Sequence, residues 1–173
     1  FIGDSVMVFF GDPETNGAKE DAAACCDMAM EMLTFLEENQ QHVQETYNFP
    51  EKLEVRVGVH NGLCNVGNFG SAQRLDYTAI GRAVNVASRL EQAAPKNSIL
   101  VSSAVHNLIK DKFETSSQID VKAKGIDKPI ASYVLTKKTA EDKKIRKEID
   151  GLKVEYDPQK IDRETLLKFI NEL

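Results

Sequence analysis

Nothing in this chain matches a glycine-rich loop ending in Gly-Lys-Ser or Gly-Lys-Thr, which excludes a P-loop nucleotide enzyme. No run approaches the roughly 18–20 apolar residues that a membrane helix needs, and no secretory signal is visible. Positive charge is in short supply as well: 22 lysines and arginines stand against 27 aspartates and glutamates, a net charge of -5. Neutralising a nucleic-acid backbone or an anionic membrane takes a basic face, so neither is a general partner. A small nucleotide remains open, because a few local cations suffice. Aromatics are sparse, and no aromatic-rich strand with flanking arginines offers RNA bases a stacking platform. Three cysteines, Cys25, Cys26 and Cys64, have no metal-ligand spacing. Cys25 and Cys26 read as small apolar fillers of a helix, which suits a reducing compartment.

What is present is 173 residues, 42% of them hydrophobic, enough for one domain core with an extension. Phe1-Ile2 and Ser5–Phe10 predict two strands joined by a tight turn at Gly3-Asp4, with Asp4 at the strand tip. Phe1 is no initiator and stands inside an apolar run, so the expectation is a piece cut upstream, a cytoplasmic domain whose parent can be membrane-anchored. Gly11 to Gly17 is loop. From about Lys19 to Glu38 the residues Ala22, Cys25 or Cys26, Ala29, Leu33 and Leu36 recur at helical spacing, and His42–Pro50 reads as a polar connection. Leu53, Val55, Val57 and Val59 alternate with polar residues or glycine as in a half-covered strand. Asn61-Gly62 then signals a hairpin with a return strand Leu63–Gly67 and a loop Gly67–Ser71. A polar turn at Arg74–Ile80 leads into a helix from about Gly81 to Ala94.

Ser98–Val101 predicts a short strand and Val105–Ile109 a helix capped by Ser102 or Ser103, with Ile119–Lys124 and Ile130–Leu135 as a final strand pair. Elements alternate without a regular parallel repeat, so the fold class is α+β, helices packed on a mixed or mostly antiparallel sheet. Composition shifts near residue 137. The expected division is 1–137, a domain, and 138–173, a charged extension. The end of that extension places Leu166, Phe169, Ile170 and Leu173 on one side of a helix, read either as a docking or dimer helix or as an exposed tail.

Asn85 and Arg89 carry the chemistry best. Four residues apart on a helix, they share a face, and an amide beside a permanent guanidinium suits an anionic, hydrogen-bonding ligand. The run Asp76–Glu91, together with Phe1–Asp4 and Val121–Gly125, resembles the catalytic domain of class III nucleotidyl cyclases. The resemblance covers about residues 1–135 and implies a ferredoxin-like cyclase fold whose active sites form between two domains. It implies that Asp4 matches the second of two metal-binding aspartates, with two magnesium (Mg2+) or manganese (Mn2+) ions per site. The first aspartate and the adenine-contacting lysine of the family have no counterpart from Phe1 onward. Asn85 matches the ribose-orienting residue, Arg89 the one that stabilises charge at the α-phosphate, and Lys122 the lysine holding the terminal phosphates, with Lys124 its competitor. Arg74 is a weaker phosphate candidate.

Thr78 occupies the family's base-reading position. Many adenylyl enzymes have aspartate there, a bacterial and soluble subgroup linked to bicarbonate stimulation has threonine, and guanylyl enzymes usually have cysteine. A threonine hydroxyl can accept from the adenine amino group. The resemblance therefore implies an adenylate cyclase, a homodimer acting on ATP, with the supplied piece inactive alone. A guanylate cyclase and a non-catalytic regulatory or dimerisation domain are the alternatives. Asp12 precedes a proline in a loop, His42, His60 and His106 have no carboxylate partners at useful spacing, and none is given an acid-base role.

Overall fold

A computed structural model describes residues 5–71, 73–122, 129–138, 145–149 and 152–156, with Thr165 and Lys168. By its contacts the chain divides into Phe1–Lys137 and Lys138–Leu173. Along the first unit run helix α1 (Ala18–Tyr47), strands β1 (Arg56–Val59), β2 (Asn65–Ser71) and β3 (Arg74–Ile80), helix α2 (Arg82–Ala93), strand β4 (Ser98–Ser102), helix α3 (Ser103–Ile109) and strands β5 (Phe113–Thr115), β6 (Ile119–Val121) and β7 (Ile130–Lys138). Five strands form one sheet in the order β1-β4-β7-β5, with β6 also on β7. β1 runs parallel to β4, while β4 and β6 are antiparallel to β7. This is the α+β class that the sequence predicts, with one parallel pair.

Two cores lie against the sheet. Ala22, Ala23, Cys26 and Ala29 of α1 pack with Val59, Ile99, Val101, Val105, Ile109 and Phe113. The small residues let the helix approach closely, and Cys26 is fully buried, its thiol pushed up to about 12 first by burial and then by Cys25 and Asp27. Val86, Leu90 and Ala94 of α2 pack with Leu100 and Val121. Ser102 caps α3 as expected, its Oγ accepting from the Val105 N–H.

Several expectations change. Helix α1 does not stop at Glu38 but continues to Tyr47, where Asn48 closes it in the left-handed conformation. Its buried residues fall in the first half, and beyond Leu36 only Val43 and Tyr47 are apolar, so the last turns have no apolar stripe to betray them. Asn61-Gly62 makes no hairpin, because β1 pairs with β4 instead of β2. The hairpin is β2 with β3, closing between Ser71 and Arg74. Gly67–Ser71, read as loop, is therefore the greater part of β2, and Arg74–Ile80, read as turn, is β3. Ser5–Phe10 is not a strand: Ser5 makes a single bridge and Val6–Phe10 join no ladder, leaving Val6, Val8 and Phe10 at 57%, 48% and 40% exposure. An extended apolar run without a ladder partner remains irregular. β5 was not foreseen.

In the second unit, Ile145–Ile149 (β8) pairs antiparallel with Leu152–Tyr156 (β9), a hairpin that the charged composition did not suggest. Phe1–Asp4, Lys124 and most of the expected terminal helix lie outside the described residues, though Thr165 and Lys168 are helical.

Candidate functional site

Strand β3 passes into α2 through a single glycine, so Thr78, Asn85 and Arg89 are carried by one strand-turn-helix unit. A Cβ at Gly81 would stand 3.2 Å from both Cα and Cβ of Cys64, which keeps this junction tight against the chain that leads into β2. α2 is fixed from the other side by Gly58 of β1. A Cβ there would lie 2.2 Å from the Glu91 backbone nitrogen and 2.3 Å from the Ala87 carbonyl oxygen. Only a residue without a side chain allows the helix to lie this close to the strand.

On α2 the buried stripe is Val86 and Leu90, and Asn85 and Arg89 lie one residue earlier, on the adjoining stripe. Asn85 is exposed and Arg89 half-buried. The most obvious competitor for the Arg89 charge is removed, since Glu91 pairs with Arg56 at 3.6 Å. Arg89 Nη1 instead donates to the Gln92 Oε1 at 3.0 Å. A neutral amide orients the guanidinium without neutralising it, so its charge is available to an anion.

Thr78 is half-buried and pairs across the ribbon with Gly67. Directly paired residues share a face, and Gly67 sets no side chain against Thr78 there; the nearest atom to where its Cβ would stand is Phe69 Cε2 at 4.0 Å. Sequence reasoning missed this neighbour because it ended the return strand at Gly67 and paired it with the strand before Asn61, not with Arg74–Ile80. Lys122 is exposed and follows Val121, which shares a core with Val86 and Leu90, the residues next to Asn85 and Arg89. Thr78 thus lies on the strand before α2, Asn85 and Arg89 lie on α2, and Lys122 follows a residue packed against it. Arg74 is removed from them by its place at the far end of β3 and pairs with Asp76 at 3.6 Å, both strongly exposed.

Asp4 lies outside the described residues, and among those described no group of three or more His, Cys, Asp or Glu side chains could hold a metal ion. Two of the three histidines are occupied structurally. His60 Nδ1 lies 2.8 Å from Ser102 Oγ, and His106 stacks on Tyr133 with ring centroids 3.9 Å apart. Asp12, set aside on spacing, accepts a hydrogen bond from the Tyr77 hydroxyl.

The family profile of the adenylate and guanylate cyclase catalytic domain matches residues 1–137. The chain belongs to that family. This cyclase domain is 35% identical over 138 residues to an adenylate cyclase of Anabaena cylindrica, an alignment covering 77% of the chain and 26% of the relative. It is 33% identical over 148 residues to the receptor-type guanylate cyclase gcy-23 of Caenorhabditis elegans, covering 81% of the chain and 13% of that protein. The chain thus spans about a quarter or less of these relatives. Its fold is similar to the crystal structure of the adenylyl cyclase CyaB from P. aeruginosa, with TM-score 0.74, 39% identity, and coverage of 88% of this chain and 72% of that one.

Proposed function

We propose that this cyclase domain converts ATP to 3′,5′-cyclic AMP and pyrophosphate at a site shared by two copies of the chain. The observation that carries the reading is Arg89: a half-buried guanidinium beside Asn85, with no acidic partner among the described residues, on the helix that follows the Thr78 strand. In the reaction the ribose 3′-oxygen attacks the α-phosphorus, the bond to the bridging oxygen breaks, pyrophosphate departs with that oxygen, and the hydroxyl proton passes to water. Thr78 accepts from the adenine amino group. Asn85 holds the ribose so that the 3′-oxygen lies in line with the scissile bond. Arg89 meets the charge that grows on the α-phosphate oxygens, and Lys122 holds the β- and γ-phosphates. Asp4 would bind magnesium or manganese, whose chemistry when bound is to acidify the 3′-hydroxyl and offset phosphate charge.

Sharing between two copies follows from the family resemblance of Asp4 to one half-site and of Thr78, Asn85, Arg89 and Lys122 to the other, which a symmetric dimer would complete twice. Leu75, Tyr77 and Ile80 on the ribbon are 61%, 54% and 48% exposed, apolar surface of the kind that an interface covers. Guanylate cyclase activity is the second reading, favoured by the likeness to gcy-23. The test is turnover of ATP and GTP by the complete natural chain over a dilution series. ATP preference with activity per subunit falling on dilution supports the proposal. GTP preference supports the second reading, and a rate per subunit constant through the monomer range overturns the shared site.

A further inference from the structure

The hairpin that presents Thr78 is a two-stranded ribbon outside the five-stranded sheet. Such a ribbon is marginal alone, so its placement depends on what holds it from outside. At one end it is held by the Gly81 junction with α2. Between its ends, Tyr77 of β3 reaches back 65 residues along the chain: its hydroxyl donates to Asp12 Oδ2, and its ring lies 6.1 Å from the Phe9 ring at a 48° tilt. Side chains alternate along a strand, so Tyr77 is gripped on the face opposite to the one from which Thr78 projects.

We propose that Asp12 and Tyr77 form a latch that positions Thr78 for the nucleotide base. The latch joins the loop downstream of Asp4 to the base-reading strand and limits roll and slide of β3. Both act through the strand that carries Thr78 and are positioning residues. A tyrosine hydroxyl keeps its proton at neutral pH, and the hydrogen bond to Asp12 pushes the Tyr77 hydroxyl further up. A carboxamide at position 12 retains an acceptor oxygen, whereas a methyl does not.

This inference rests on the adenylate cyclase reading, so its test has one readout that needs no turnover. Asp12→Ala, Tyr77→Phe, the double variant and Asp12→Asn are made in the complete natural chain. Amide hydrogen exchange of Arg74–Ile80 is measured alongside KM and kcat for ATP and GTP. The expected result is faster exchange in both single variants, with KM for ATP raised about three- to tenfold, kcat nearly constant and the ATP:GTP preference reduced, as loss of a positioning hydrogen bond would give. The double variant should be no worse than either single one, and Asp12→Asn should approach the parent. Unchanged exchange overturns the latch. Faster exchange with unchanged KM and base preference overturns the positioning of Thr78. Additive losses in the double variant overturn the pairing of Asp12 with Tyr77. Failure of the underlying reading shows separately, as absence of cyclic product from the parent.

Discussion

Gly58 and Glu91 come so close that a Cβ on the strand residue would stand 2.2 Å from the backbone nitrogen of the helix residue. This contact sets the height of α2 above β1, and with it the positions of Asn85 and Arg89.

Gly58→Ala should therefore do two things at once. Overpacking against backbone cannot be relieved by a rotamer change, so the cost is expected at about 2 kcal/mol or more, roughly 4–8 °C in melting temperature for a chain of this size. Because α2 must lift, turnover should fall even at temperatures where the variant remains folded. Thermal melts and kcat measured together check this, and a fully active, equally stable alanine variant would contradict the packing argument.

Arg89→Ala should lower kcat about 10²–10³-fold, as removal of a preorganised charge at a developing oxyanion does, with a much smaller rise in KM. Arg89→Lys should recover little, because an ammonium on a flexible stem replaces the planar fork that Gln92 orients. Steady-state kinetics on both variants decide. Equal losses in kcat and affinity would reduce Arg89 to ground-state binding.

Thr78→Ala removes one hydrogen bond to the base while leaving the ribbon intact. Its ATP:GTP ratio of kcat/KM should drop about tenfold, the equivalent of roughly 1.4 kcal/mol for a specific hydrogen bond. Competition between the two nucleotides in one reaction measures the ratio directly. An unchanged ratio would remove Thr78 from base recognition.

The helical face of Asn85 and Arg89, the β6–β7 strand pair and the Ser102 cap were legible because each rests on local chemistry that the fold does not override. Arg74–Ile80 was missed although Leu75, Tyr77 and Ala79 alternate along it. Leu75 and Tyr77 are exposed, so the alternation marks no conventional core face. Asn61-Gly62 misled for a different reason. A turn dipeptide gives a local preference only, and β1 is committed to β4, ranged beside it by the α2 crossover. The true hairpin closes between Ser71 and Arg74 without a turn signature of that kind. The pairing of Thr78 with Gly67 and the Tyr77–Asp12 contact are cross-strand and long-range facts, which spacing along a sequence does not contain.

His60 supplies a pH prediction. Burial lowers its pKa from 6.5, and the Ser102 hydroxyl, already accepting from Val105, is placed to donate to Nδ1 of the neutral ring. The unfolded chain then binds the proton more readily than the folded one. The stabilisation from neutral His60 is complete above about 6.5, the unfolded value, and is lost as pH falls through the lower folded value. Melting temperatures between pH 8 and 5 should decline below that point, and His60→Gln should flatten the decline. An unchanged slope in the variant would show that other groups control it.

The central claim is tested most directly by product analysis of the complete natural chain incubated with ATP and magnesium or manganese at concentrations that support a dimer. The account predicts one cyclic AMP for each pyrophosphate released. ADP and phosphate, linear AMP, or no cyclic product from either ATP or GTP would contradict it.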